Sequence, residues 1–222
     1  MLVHRIARAA NSDNPGSLAN QLRLARFARF QELADRSRAD DGTVRILDLG
    51  GTATYWENMG VADRPDYQLT TLNIVEPKDE HPTIRQLRGD ATDTDFSDNE
   101  FDVVFSNSVI EHVGGLDRQR AMASEIRRLA PSYYVQTPCR SFPIEPHHRS
   151  PLCHPYLPYA VRVREMQRIR KTHRFEAEWI INSVHSMNSR DFAQAFPDAN
   201  IIRERVFGLT KSWIATRIRQ PR

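Results

Sequence analysis

The junction between residues 44–49 and Gly50-Gly51 constrains the fold more than any other stretch of the chain. Val44, Ile46, Leu47 and Leu49 are apolar, Asp48 sits near the end of the run, and two glycines follow at once. A short apolar run ending in a small-residue turn reads as a buried parallel strand and the ligand-facing loop after it. That pairing opens a doubly wound α/β domain. Glycine suits such a turn because a Cβ would obstruct a backbone that bends sharply or passes close to another group.

The rest of the chain supplies strands and helices at distances this fold can use. Ser17 stands before a run rich in Leu, Ala and Phe, which predicts a capped helix over residues 18–34. Further strands are expected at 67–74, 83–87, 101–106 and 133–136. The continuous apolar character of 101–106 suits a central strand covered on both faces. Met122, Ile126 and Leu129 recur at helical spacing, with Pro131 beyond them, and predict a helix over 116–129. A helix over 189–196 and two strands, 201–206 and 212–218, around Gly208 complete the expected elements; the two strands read as an antiparallel hairpin. Between Pro138 and Pro158 six prolines fall in 21 residues, so an irregular loop is expected there.

At 222 residues the chain is read as one domain, with residues 1–40 as a helical extension and 138–175 as a proline-rich and basic insertion. No apolar run approaches the ~20 residues that span a bilayer. Five arginines and a single acid in the first thirty residues have the composition of a transit peptide. The capped apolar run beginning at residue 18 favours a helix of the domain instead. With no secretory signal, the expected location is cytoplasmic. Arginine outnumbers lysine 28 to 3, but acids are interspersed and the net charge is only +3. This pattern argues against a dedicated nucleic-acid surface. Two cysteines make no disulfide framework.

Three ordered elements resemble the class I S-adenosylmethionine-dependent methyltransferases, and in particular the methyltransferase type 11 branch. They are Asp48 to Thr52, the end of the second strand at 73–76, and Gly89-Asp90-Ala91-Thr92 followed by residues 96–113, which end in Glu111-His112-Val113. The resemblance covers about residues 44–218. It implies a Rossmann-like, doubly wound seven-stranded sheet, mostly parallel, with an antiparallel last strand. It also implies S-adenosylmethionine as cofactor. Asp48, Gly50 and Gly51 would then serve its methionine part and Asn73 its ribose. Asp90 and Ala91 would meet its adenine, and Ser106 and Asn107 would lie near its sulfonium. Asn73 stands where the family usually has an acid, with Glu76 as a substitute, and Thr52 and Thr54 stand where it has further glycines. The dinucleotide fingerprint G-x-G-x-x-G is not met, because Thr52 and Tyr55 occupy its later glycine positions.

Candidate acceptor-side groups fall in two places. Glu111-His112 follows the fourth strand, and the loop after the fifth carries Glu145, His147 and His148. A histidine titrating near neutrality is the natural general base for a hydroxyl acceptor. His147, oriented by Glu145, is the first candidate and His112 the second. The spacing of Cys139, His147, His148, Cys153 and His154 matches no familiar zinc site, so no metal is expected. Arg162, Arg164, Arg168, Arg170, Lys171 and Arg174 form a basic stretch, read as a solvated helix face. The expected activity is O-methylation of a small-molecule or glycan acceptor. The alternatives are a methyltransferase-like binding or scaffolding protein, motivated by Thr52, Thr54 and Asn73, and an RNA methyltransferase.

Overall fold

A computed structural model describes residues 16–143, 150 and 156–219. In chain order the elements are α1 (Leu18–Asp35), β1 (Val44–Leu49), α2 (Ala53–Asn58), β2 (Tyr67–Asn73), β3 (Ile84–Arg88) and β4 (Val103–Asn107). A 3-10 turn (Ile110–His112) leads to α3 (Leu116–Leu129) and β5 (Ser132–Pro138). Then follow α4 (Tyr159–Arg170), α5 (Arg174–Asn182), α6 (Ser189–Ala195), β6 (Asn200–Val206) and β7 (Leu209–Arg217). The seven strands form one sheet in the order β3-β2-β1-β4-β5-β7-β6. β1 pairs in parallel with β2 and β4, while β7 runs antiparallel to both β5 and β6. This is the doubly wound, mostly parallel sheet with an antiparallel last strand that the sequence implies.

Alternating side chains divide the core into two layers, as a pleated strand requires. On one face Ile46, Leu69, Phe105, Tyr134 and Ile214 meet α1 and α2 through Phe27, Phe30, Leu33 and Trp56. On the other, Leu47, Leu72, Val104, Tyr133 and Trp213 meet α3 and α6 through Met122, Ile126, Phe192 and Phe196. The first layer is aromatic: Phe30 lies 4.4 Å from the Phe105 ring, and Phe105 stacks on Tyr134 at 5.8 Å. Such pairs contribute about 0.5–1.5 kcal/mol beyond burial of area. The helix expected at 18–34 is therefore a covering layer of the sheet. Ser17 Oγ accepts from Asn20 N at 3.0 Å and starts it. Arg26 Nη1 ties its middle to the far edge, donating to both Glu204 oxygens at 3.1 and 3.0 Å.

Several boundaries shift by one to three residues from the sequence expectation, and two departures have a clear physical cause. The fourth strand begins at Val103 rather than 101, because the Asp102 side chain takes up its start: Oδ2 receives the Arg45 N–H at 2.8 Å. The basic stretch is a helical hairpin rather than one helix. Lys171 adopts a left-handed conformation (φ 52°) that ends α4, and α5 folds back upon it. Val163, Met166, Ala177 and Ile181 give this hairpin a small core of its own.

Candidate functional site

Strand order reverses direction between β1 and β4, so the crevice at their carboxyl ends is where this topology receives a ligand. Gly50 leaves β1 at φ +84°, and a Cβ there would lie 2.4 Å from Val109 Cγ1. A Cβ on Gly51 would fall 1.7 Å from Asp48 Oδ2. Both glycines are thus required by the packing of the loop itself. Asp48 is 2% exposed and its Oδ2 accepts from Trp56 Nε1 at 2.8 Å. Burial pushes this carboxyl up to about 7, against the lowering effect of the indole N–H. Asp48 therefore holds the loop from beneath. Thr52 caps α2 in an extended conformation without a side-chain bond to the helix.

Asn73, at the end of β2, is fastened to the same loop. Its Nδ2 donates to Gly50 O at 2.9 Å and Gly51 O at 3.1 Å, and its Oδ1 accepts from Val75 N at 3.1 Å. A carboxylate could not donate these two bonds, which gives the amide at this position a structural reason. Just beyond it Ile74 and Val75 are each 66% exposed, an unusual display for aliphatic side chains at a strand end. Glu76 is exposed and pairs with Arg88 at 3.5 Å.

On the neighbouring strand end, Asp90 Oδ1 accepts from Thr92 N and Oγ1 at 2.9 and 2.8 Å, and Oδ2 accepts from Arg118 Nη2 at 2.6 Å. Those hydrogen bonds hold the Asp90 carboxyl below its usual range, although partial burial opposes them. Its side chain remains 37% exposed. Ala91, beside it, is half-buried.

Ser106 is fully buried and donates to Leu49 O at 3.1 Å, tying β4 to β1 below the loop. Asn107 reaches the crevice, half-buried. Ser108 follows in the left-handed region (φ 59°), held by its N–H on Gln136 O at 3.0 Å and its hydroxyl on Gln136 Oε1 at 2.8 Å. A non-glycine residue kept in that region marks a locally imposed conformation.

Beyond β4 the chain turns toward a second concavity. Glu111 is fully buried, accepts from Thr137 Oγ1 at 2.9 Å, and its backbone carbonyl accepts from His185 N at 2.7 Å. A half-open cleft of about 460 Å³ lies here, lined among others by Leu116, Gln119, Arg140, Arg162, His185 and Asp191. Gln119 Nε2 donates to His185 O at 2.5 Å. The first turn of α3 thus separates two places: Arg118 reaches Asp90, and Gln119, the next residue, walls the cleft. His112 is exposed, with Nδ1 3.4 Å from Ser183 O, between two residues that line the cleft.

Of the sequence-derived site residues, the structure brings Gly50, Gly51, Asn73, Asp90, Ala91 and Asn107 to the strand-end crevice and sets Asp48 and Ser106 beneath it. Glu145 and His147 lie outside the described residues, as do His148, Cys153 and His154. Among the described residues no cluster of three His, Cys, Asp or Glu side chains is placed to share a metal ion. Sequence reasoning did not assign roles to Trp56, Arg118, Thr137 or Gln136. Their parts depend on contacts across the fold, and only the large apolar Trp56 so soon after the glycine turn hinted at one.

Ile74 and Val75 are exposed just past the end of β2, and the Asp90 carboxylate, with three of its roughly four acceptor positions used, can still take an N–H. Residues 47–132 match the family model of a methyltransferase domain. No curated protein sequence matches the chain. The fold is shared with solved structures. One, from Listeria monocytogenes and assigned as an S-adenosylmethionine dependent methyltransferase, superposes with a TM-score of 0.57 at 11% identity, covering 88% of this chain and 98% of that one. Another, a protein from Pyrococcus horikoshii OT3, gives 0.53 at 13% identity, covering 93% of each chain. Residues 47–132 thus carry the pattern of a methyltransferase domain, within a fold shared with an S-adenosylmethionine dependent methyltransferase.

Proposed function

We propose that the protein methylates a hydroxyl group of a small-molecule or glycan acceptor, with S-adenosylmethionine across the carboxyl ends of β1 to β4 and the acceptor in the cleft beside α3. The observation that carries this reading is the placement of the first turn of α3. Arg118 faces Asp90 on the crevice side, while Gln119 faces His185 in a cleft of about 460 Å³. A donor and an acceptor held on the two sides of one turn meet near Asn107 and Ser108.

In this reading Asp90 accepts from the adenine amino group, Ala91 offers its backbone N–H to the ring, and Ile74 and Val75 lie against its face. Gly50, Gly51 and Asn107 lie along the methionine part. Asp48, Ser106 and Asn73 keep the loop in position. Bound cofactor supplies a methyl group on a sulfonium, which loses its charge as the methyl leaves. The chain's contribution is to hold the acceptor in line at about 3–3.5 Å and to take up its proton. His147, oriented by Glu145, is the proposed base. His112 is the second candidate, supported by its position beside the cleft wall at Ser183.

Calorimetric titration with S-adenosylmethionine and S-adenosylhomocysteine tests the donor half, with one-to-one binding at micromolar levels expected. Transfer of a labelled methyl group to a panel of hydroxylated metabolites and sugars tests the acceptor half. Cofactor binding with label passed only to amines or to RNA would overturn the hydroxyl assignment.

A further inference from the structure

The α4–α5 hairpin presents a surface that neither the crevice nor the cleft uses. Phe175 is 84% exposed and Trp179 is 66% exposed. They sit one helical turn apart on α5, so both project from the same face. That face is opposite Ala177 and Ile181, which form the hairpin's own small core. The contrast within the chain is sharp, since Trp56 is 0% and Trp213 8% exposed. On α4 an exposed stripe of Val161, Arg164 and Arg168 lines one groove together with Arg174 of α5. Arg174 also immediately precedes Phe175, and so links the basic groove to the aromatic face.

Charge singles out the same element. Residues 159–182 hold six arginine and lysine side chains against three glutamates, which equals the whole net charge of +3. The remainder of the chain is formally neutral. Aromatic side chains beside arginines on one helical hairpin match the interfacial layer of a bilayer. There rings bury in the headgroup region and cations meet lipid phosphates. A second copy of the chain is disfavoured as the occupant by the like charge of two such faces.

We propose that the α4–α5 hairpin docks the enzyme on an anionic phospholipid surface, with Phe175 and Trp179 inserted at headgroup depth and Arg164, Arg168 and Arg174 on the phosphates. This goes beyond the methyl-transfer reading and stands apart from it, because docking requires neither cofactor nor acceptor.

The test uses the full chain and large unilamellar vesicles of phosphatidylcholine alone or mixed with phosphatidylglycerol. The expected result is cosedimentation with the anionic vesicles only, release by raised salt, and a blue shift of tryptophan emission. Trp179 is the one strongly exposed tryptophan, so the shift reports its insertion. Phe175→Ser with Trp179→Ser should abolish cosedimentation. Arg164→Glu with Arg168→Glu should weaken it by at least about fivefold for each arginine. All four side chains are exposed, and an unchanged melting temperature identifies variants that remain folded. Absence of vesicle binding would overturn the proposal, as would equal binding to neutral vesicles or wild-type binding by the serine variant. Retention on single-stranded RNA with no vesicle binding would assign the face to nucleic acid instead.

Discussion

The indole of Trp56 donates its N–H to Asp48 Oδ2 across 2.8 Å, with both side chains sealed from solvent. The first helix after the glycine turn is thereby locked to the last residues of the strand before it. Trp56→Phe would retain most of the apolar packing and leave a buried carboxyl without that donor. A loss of about 1–3 kcal/mol is expected in denaturant unfolding. Weaker binding of S-adenosylhomocysteine should accompany it, since the loop rests on this contact. A variant as stable as the wild type would show that the bond does not support the loop.

Asp48 also sets a pH dependence. Its folded-state value of about 7 lies above the ordinary carboxylate value of 3.8. The folded protein therefore keeps a proton that the unfolded chain gives up, and this group's contribution falls as pH rises from about 4 to 7. The full penalty above that window is roughly 4 kcal/mol. Asp48→Asn retains an oxygen for Trp56 and removes the titration. Melting temperatures across pH 4 to 8 should show the variant gaining on the wild type as pH rises. A constant difference between the two curves would refute the shift.

Asn73→Asp restores the acid that the family resemblance places at this position, yet it should not improve cofactor binding. The substitution removes two donated bonds, to Gly50 O and Gly51 O, and sets a carboxylate beside two carbonyls. S-Adenosylhomocysteine affinity is expected to fall by about 1–3 kcal/mol in calorimetry. Equal or tighter binding would mean that the ribose, not the loop, governs this residue.

Asp90 and Arg118 can be separated by paired substitutions. Asp90→Ala should weaken binding of S-adenosylhomocysteine by about 1–3 kcal/mol if the carboxylate receives the adenine amino group. Arg118→Ala removes a largely exposed ion pair and an exposed hydrogen bond to Val113 O, and should cost no more than about 1 kcal/mol. Equal effects of the two variants would place Asp90 in a structural role.

Much of the fold can be read from the chain where local pattern and tertiary environment agree. β1 and α3 have the bounds expected from their apolar spacing, because each buries the face that its period marks out. α5 escapes this reading because Phe175 and Trp179 point outward while Ala177 and Ile181 point inward. Apolar residues on both faces, in a helix of only nine residues, leave too short a stretch of period to announce it. The site is less legible than the fold. Asp90 and Gly50 stand at strand ends that the sequence order already implies. The uses of Asn73 and Arg118, by contrast, depend on partners 23 and 28 residues away that only the folded sheet brings near.

The ion pair between Arg26 and Glu204 joins positions 178 residues apart. At roughly 5–20 residues per second of synthesis, the first partner waits about 10–35 s for the second to be made. Until then α1 has its apolar face but lacks the carboxylate that neutralises its buried guanidinium. Final seating of the helix is thus postponed until β6 has been made. A helix made before the sheet it covers is among the last elements to settle.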